Sequence, residues 1–335
     1  MKSKAGGTMK RRILLGLLSA FALCTCASGT VTAADNEPYP SRPIRMIVPA
    51  PAGSANDLLV RRLTDKLSQR LGQPFIIDNR AGAGAIIGTE AVARAAPDGY
   101  SLLSANVVHA INGSLKTNAS YHPVRDFTPI TLIGYTPSVL LVHPSLRISS
   151  VAELMTAAKN SKDGMTYATA GVGTAGHLAG ELFKGAAKIP LVHLPYKGIT
   201  TAISDALAGH VPLIFLFGPD AVPAARNGSL IPLAVTATQR SILLPNVPTF
   251  AELGHKDVEL SAWYGLLGPA NMPAAITERL NKEINAVLAD ADFKRQLADM
   301  MVEAQGSTPK ELETIITQDL IRFIKVTREA GMQSE

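Results

Sequence analysis

At 335 residues the chain is longer than one hydrophobic core usually serves, so two domains are the starting expectation. With 47% hydrophobic and 18% charged residues it is a globular composition, which excludes a disordered or low-complexity chain. The formal charge of +5 resides in Lys2, Lys4, Lys10, Arg11 and Arg12; from Asp35 onward 27 basic residues face 27 acidic ones, so nothing points to nucleic acid as a partner.

The first 34 residues read as an export signal: a basic Lys10-Arg11-Arg12, an apolar Ile13 to Cys24, and small residues around Val31-Thr32-Ala33-Ala34 for cleavage. The apolar run is too short to span a membrane. A start at Met9 instead of Met1 would give a more compact signal. The competing reading is a lipoprotein anchored at Cys24 or Cys26, but the residues before each cysteine fit a lipobox poorly. Cleavage removes both cysteines, which excludes disulfides, thiol nucleophiles and cysteine metal sites from the mature chain. The expected location is the periplasm, as a soluble protein.

A polar, proline-rich entry (35–43) precedes a short apolar strand, Ile44-Arg45-Met46-Ile47-Val48. Pro49 and Pro51 hold off helix formation. Gly53 allows close backbone approach, and Ser54, Asn56 and Asp57 suit a helix start. The free N–H groups of such a start form an anion site, although an ordinary loop without a ligand fits the same residues. The helix runs from about Asn56 to Arg70. A strand at Phe75–Asp78, a glycine loop at Asn79–Gly84, a helix over Ile86–Ala96 and a strand at Ser101–Ala105 follow, the last ending in Asn106.

From Phe127 to Val142 the pattern is long and β-like, suited to carrying the chain from one domain to another. A capped helix begins near Ser149 and Ser150. The strand Met165–Ala168 leads into a further glycine loop, Thr169-Ala170-Gly171-Val172-Gly173-Thr174, and a helix over Ala175–Ala187. Strands are expected at Leu191–Leu194, Val211–Phe217, Leu230–Val235 and Val258–Gly268, with a helix over Ile199–Gly209. Two helices close the chain, Pro273–Ala289 and Pro309–Gly331. Alternating strands and helices argue an α/β fold with mostly parallel sheets flanked by helices.

Several motifs lead nowhere. Gly171, Gly173 and Gly176 spell G-x-G-x-x-G between a strand and a helix, but the next strand ends in Leu194-Pro195-Tyr196-Lys197, without the acid a ribose would need. The seven histidines include no H-E-x-x-H, and there is no G-x-S-x-G, so neither a metal site nor a catalytic constellation has support. No cofactor is expected. What remains is two strand–glycine loop–helix starts, at Gly53 and at Gly171–Thr174. Facing one another across a cleft, they would suit a carboxylated ligand. His177, in the first turn after the second loop, reads as a helix-surface or capping residue or as a donor into that cleft.

An ordered series of motifs carries a resemblance. It runs from Tyr39-Pro40-Ser41-Arg42-Pro43-Ile44 through Val48-Pro49-Ala50-Pro51-Ala52-Gly53-Ser54-Ala55-Asn56-Asp57 and Asn79-Arg80-Ala81-Gly82-Ala83-Gly84 to Pro97-Asp98-Gly99-Tyr100. It continues through Phe127-Thr128-Pro129-Ile130, Gly171–Thr174, Tyr196-Lys197-Gly198, Leu244-Pro245-Asn246-Val247-Pro248-Thr249 and Trp263-Tyr264-Gly265-Leu266. This pattern closely resembles the Bug-type periplasmic solute receptors, the extracytoplasmic subunits of tripartite tricarboxylate transporters, over nearly the whole mature chain.

The resemblance implies a two-domain periplasmic-binding-protein flytrap with a two-strand hinge: domain 1 from residues 35–136 plus 240–335, domain 2 from 137–239. It implies a small organic carboxylate held by both domains and delivered to membrane permease subunits by a monomeric, non-catalytic receptor. Main-chain donors of Ala52, Gly53 and Ser54, with Asp57 beside them, would hold one carboxylate end. Gly173 and Thr174, in the loop that Gly171 opens, would take the other, and Ser104 to Asn106 would line the cleft. Two departures stand out. The common second glycine of the first loop is Ser54, whose hydroxyl adds a donor. The acid that often follows the Val211–Phe215 strand is replaced by Phe215-Leu216-Phe217-Gly218, with Asp220 nearest. That counts against amino-acid ligands and favours a carboxylate with an aromatic or otherwise apolar body packed on Phe217 or Trp263. An exported sensor with a membrane signalling partner, and an exported α/β hydrolase or lyase, are the alternatives.

Overall fold

The computed structural model describes residues 39–115 and 119–332. The expected signal segment, with Cys24, Cys26 and both candidate starts, lies outside the described residues. Among those described, no helix is long and apolar enough to cross a membrane.

The fold follows from one long strand that changes partners. In the first sheet β1 (Ile44–Val48) lies between β2 (Phe75–Asn79) and β3 (Ser101–Asn106), parallel to both. Ile44, Met46, Ile47 and Val48 are all buried, the near-continuous apolar pattern of a strand covered on both faces. Its helices are α1 (Ala55–Leu71), α2 (Ile86–Ala93) and α3 (Val108–Ser114). β9 (Ser261–Pro269) then pairs antiparallel with β3, and β4 (Phe127–Val142) antiparallel with β9. A short β10 (Glu303–Ala304) adds to β4 at Gly134 and Tyr135.

β4 pairs with β9 as far as Pro137↔Ser261; from Ser138↔Phe217 to Val142↔Leu213 it pairs with β7 (Leu213–Phe217). Proline has no N–H to give a ladder, so Pro137 suits the place where one partner is exchanged for another. The second sheet continues from β7 to β5 (Met165–Thr169) and β6 (Leu191–Pro195), all parallel, with β8 (Ile231–Val235) also on β4. α4 (Val151–Asn160), α5 (Ala175–Ala187), α6 (Ile199–Leu207) and α7 (Ala221–Arg226) belong to this half of the chain. The returning chain is fastened at the handover. Ser138 and Thr236 exchange N–H bonds at 2.9 Å, to the Thr236 hydroxyl and the Ser138 carbonyl, and Leu260 N–H donates to Thr236 O at 3.0 Å. α8 (Ala274–Ala289), α9 (Ala291–Ala298) and α10 (Pro309–Glu329) close the chain.

Side chains alternate across β4 with period two. Leu140 and Val142 join a core that includes Leu103, Trp263, Phe183 and Phe323, whereas Val139 and Leu141 join a second one with Ile214, Leu216 and Val235. This is the two-domain flytrap architecture of periplasmic binding proteins.

Several elements depart from the sequence reading: α3, α7 and β10 have no counterpart in it, and three further departures have a plain cause. The run expected as strand from Val258 begins as a 3-10 turn over Lys256–Val258, and the strand starts only at Ser261, where pairing with Pro137 becomes available. The helix expected to reach Ala96 stops at Ala93, with Arg94 bonded back to Glu90. α9 was hidden behind α8, because Asp290 closes one helix and caps the next through its contact with Phe293 N–H at 2.9 Å.

Register fixes where the strand ends lie. β3 and the first half of β4 run the same way, since both oppose β9, and Asn106 at the end of β3 faces Tyr264, which faces Gly134. β7 runs against β4 and ends at Phe217 opposite Ser138, with β5 parallel beside it. The C-terminal ends of β1 and β3, and of β5 and β7, therefore converge on the handover from two sides. Loops at such ends line the ligand crevice of open α/β sheets.

Candidate functional site

The first loop, Pro49 to Ser54, connects β1 to α1. Ser54 is the N-cap: its hydroxyl accepts the Asp57 N–H at 3.4 Å, and its own N–H donates to Pro51 O at 3.2 Å. Gly53 takes the left-handed φ of +80° that glycine tolerates. Its N–H donates to Asp57 Oδ2 at 2.8 Å. Asp57 is 1% exposed, and its carboxylate also accepts from Arg61 Nε at 3.0 Å and Asn79 Nδ2 at 2.9 Å. Burial alone would raise this carboxyl, but the hydrogen bonds from Arg61, Gly53 and Asn79 outweigh it and hold the group below the usual carboxylate range.

The donor arrangement of this loop thus differs from the expected one. The N–H groups of Gly53 and Ser54 and the Asp57 carboxylate are engaged inside the loop. Ala52 in the loop, and Ala55 and Asn56 at the first turn of α1, have N–H groups without an intramolecular acceptor among the described residues. The Asn56 side chain is tied to β3, its Nδ2 donating to Ser104 O at 3.1 Å while Ser104 Oγ donates to Asn56 Oδ1 at 2.7 Å. Asn106 accepts the Val108 N–H at 3.0 Å and holds the start of α3.

The second loop repeats the design. Gly171 and Gly173 have φ of +129° and +73°. Thr174 is the N-cap of α5; its hydroxyl donates to Gly171 O at 2.8 Å and accepts the His177 N–H at 3.5 Å. His177 accepts the Gly173 N–H at Nδ1, 3.3 Å away, and its ring stacks on His193 at 3.6 Å. His177 is buried, so it is not the helix-surface residue the sequence allows; its Nδ1 serves the loop as an acceptor. No lysine or arginine lies in either loop, so any anion held there would meet helix N-termini and hydroxyls.

A Cβ added at Gly173 would come within 2.7 Å of Leu115 Cδ1, so this loop rests against the residue that closes α3. The second loop therefore touches the helix that follows β3 at its C-terminal end. Phe217 is half-buried at the end of β7, opposite Ser138. Trp263 is fully buried, and its indole N–H donates to Asp319 Oδ2 at 2.9 Å on α10. It is a core residue, not a surface open to a ligand.

Tyr264 and Asp220 escaped the sequence reading as a pair. Burial raises the Tyr264 phenol, and the Asp220 charge adds to that; burial also raises the Asp220 carboxyl. Strand alternation was the available signal: Trp263 and Tyr264 must face opposite sides, and Tyr264 faces the side of Asp220. Next to Gly218 the fully buried Thr136 hydroxyl has no hydrogen-bond partner. A cavity of ≈770 Å³ opens elsewhere, bounded by Tyr135, Ser241, Glu303 and Asp319 and by no residue of either glycine loop. Among the described residues no group of three or more potential metal ligands assembles.

Comparison with known proteins agrees with this architecture. The model of the tripartite tricarboxylate transporter family receptor matches residues 59–332. Protein BugT of Bordetella pertussis is 33% identical over 317 residues, covering 94% of this chain and 97% of BugT. The solved structure of Rpa4515 from R. palustris with adipate superposes with a TM-score of 0.81 at 32% identity, covering 88% of this chain and 99% of that one. The periplasmic binding protein BugD superposes with a TM-score of 0.79 at 31% identity, covering 89% of this chain and all of BugD.

Proposed function

The chain belongs to the tripartite tricarboxylate transporter receptor family, and we propose that it is a non-catalytic receptor that binds a small organic carboxylate between its two lobes and passes it to the membrane permease subunits of such a transporter. The carrying observation is the convergence of two capped helix starts, α1 after Gly53-Ser54 and α5 after Gly171–Thr174, on the handover of β4. Each presents first-turn N–H groups and an N-terminal partial positive charge, and neither loop itself contains a lysine or arginine. Adipate in the related Rpa4515 structure supports a dicarboxylate as the first ligand to try.

The lobes we assign are residues 35–136 with 240–335, and residues 137–239. The protein works as a monomer in the periplasm after removal of residues 1–34. One carboxylate end meets the Ala52 N–H, the Ser54 hydroxyl and the first turn of α1, the other the first turn of α5 beside Gly173 and Thr174, with Ser104 and Asn106 along the wall. Phe217 is the aromatic surface for an apolar ligand body. Closure of the lobes around the β4–β9 crossing would trap the ligand.

Thermal denaturation with a panel of aliphatic and aromatic mono- and dicarboxylates tests this. Ligand at about a hundred times its dissociation constant adds ~2.7 kcal/mol of stability. A flat response across the whole panel, with adipate included, would remove the proposal.

A further inference from the structure

Two stacked histidines stand behind the second glycine loop. His177, on α5, takes the Gly173 N–H at Nδ1, 3.3 Å away. His193, on β6, places Nε2 2.7 Å from Thr169 Oγ1, and the same oxygen accepts the Gly171 N–H at 3.1 Å. The rings lie 3.6 Å apart between centroids and 9° from parallel. The Gly173 N–H is thus fixed by His177 directly, whereas Gly171 is held by Thr169, whose hydroxyl oxygen lies 3.1 Å from Gly171 O as well as beside His193.

The surroundings are closely defined. From β5, Tyr167 packs on both rings, at 5.2 Å from His193 and 6.5 Å from His177. Its hydroxyl donates to Glu181 of α5 at 2.8 Å, and Lys184 of α5 pairs with Glu181 at 3.3 Å. The remaining walls, Leu191 and Val192 of β6 and Ala330 to Met332 at the chain end, bring no charge. Among the described residues, the titratable groups facing the rings are therefore Tyr167, Glu181 and Lys184.

Hydrogen-bond chemistry settles the state of His177. An N–H can donate only to a lone pair, so Nδ1 is bare and the ring proton sits on Nε2. A second proton would occupy Nδ1 and set two donors against each other. Two imidazolium rings at stacking distance would also repel, so the pair carries at most one extra proton. Burial, then the charge of Lys184, brings His177 down to about 4; burial, then His177, brings His193 down to about 4 as well.

We infer that His177, with His193 stacked behind it, is a positioning residue whose bare Nδ1 holds the Gly173 end of the Gly171–Thr174 loop, so that a proton on Nδ1 releases Gly173. Its meaning for ligand capture rests on the proposed carboxylate site; the bond pattern itself does not.

The test is a pH titration of the ¹⁵N-labelled protein, from about pH 7.5 downward, reading the Gly171 and Gly173 amides and the histidine ring nitrogens. His177 should show a bare Nδ1 at neutral pH, and the Gly173 amide should shift with the same midpoint as the His177 ring. His177→Asn offers an oxygen near the place of Nδ1 and does not titrate. It should keep the neutral-pH amide positions and abolish the acid shift of Gly173. A protonated Nδ1 at neutral pH, or a Gly173 amide that ignores the ring titration, overturns the inference. So does a Gly173 shift that is the same in wild type and His177→Asn; where that variant fails to fold, the wild-type titration decides alone.

Adipate binding, compared between proteins at each pH so that the ligand's own protonation cancels, is the second readout. At neutral pH His177→Asn should stay within about threefold of wild type, and His177→Leu should bind about fivefold or more weakly, the worth of one hydrogen bond. A coupled Gly173 amide without binding of any carboxylate would count against the receptor reading and leave the positioning role intact. Binding with an uncoupled amide would do the reverse.

Discussion

The Gly53 N–H points at Asp57 Oδ2 from 2.8 Å, across the start of its own helix. A loop whose glycine was expected to face a ligand is thus closed on itself by a carboxylate that is 1% exposed. Three donors converge on that carboxylate; Gly53 N–H and Arg61 Nε lose this acceptor when the group is removed, while Asn79 Nδ2 keeps Ala50 O at 3.2 Å. We predict that Asp57→Ala lowers folding stability by about 2–4 kcal/mol, because a buried charged network is broken on one side. Urea unfolding checks the size.

The same group makes a pH prediction. Its folded carboxyl sits below the ordinary range because the bonds from Arg61, Gly53 and Asn79 outweigh burial. A carboxyl depressed on folding contributes stability above its unfolded pKa of about 3.9, and that contribution is lost as pH falls through the folded value. The wild-type melting temperature should therefore fall more steeply than that of Asp57→Asn below about pH 4. Parallel curves would show that the network does not depend on the charge.

Gly173 and Gly53 offer a matched comparison. Both have left-handed backbone, with φ of +73° and +80°. A Cβ at Gly53 meets nothing within 4 Å, whereas one at Gly173 meets Leu115 Cδ1 at 2.7 Å. Gly53→Ala should therefore cost only the backbone term of about 1–2 kcal/mol. Gly173→Ala should cost that and about 1 kcal/mol more, since Leu115 must turn aside. In a Leu115→Ala background the extra cost should vanish, and a double-mutant cycle in urea reads the coupling directly.

These cases also show what the sequence could and could not carry. The two loops were legible because their grammar is local: Pro49 and Pro51 hold off helix, Gly53 and Gly173 permit positive φ, and Ser54 and Thr174 cap. The helix read as Ala175 to Ala187 has those bounds in the structure. The partners of Asp57 and His177 were not legible. Asn79 lies on another strand and His193 on the one after α5, and no spacing rule reports which way an imidazole turns. The short α3, with His109, Asn112 and Gly113 in seven residues, has too little helix propensity to announce itself. Trp263 was offered as a ligand surface because the acid common after the Val211–Phe215 strand is absent. Period-two alternation places it toward α10 and the core, and that assignment needed the register of β9 against β4.

Asp319, the acceptor of the Trp263 indole N–H, makes a prediction of opposite sign to that for Asp57. Burial raises its carboxyl to about 6, against the lowering effects of the Trp263 bond and Arg322. A carboxyl raised on folding contributes stability that is fully present below its unfolded pKa of about 3.9 and is lost as pH rises through the folded value. Between about pH 4 and pH 7 wild type should therefore lose stability relative to Asp319→Asn, which keeps an acceptor for the indole and carries no charge. Melting temperatures of the two proteins across that range decide it. A constant difference would mean that the carboxyl titrates alike in the folded and unfolded chain.

Thr174 is where stability and the proposed function separate. Its hydroxyl donates to Gly171 O at 2.8 Å and caps α5 at the His177 N–H, 3.5 Å away. Thr174→Ala should cost about 1 kcal/mol of stability, the ordinary worth of an N-cap, and leave the protein folded. Thr174→Ser keeps the hydroxyl and should recover that loss. If this loop holds a carboxylate end, Thr174→Ala should also weaken adipate binding by about fivefold or more, and Thr174→Ser should restore it. Calorimetry at neutral pH reads affinity, and urea unfolding of the ligand-free protein reads the cap. Lost stability with unchanged affinity would leave Thr174 as a cap alone and move the second half of the clamp to the first-turn N–H groups of α5.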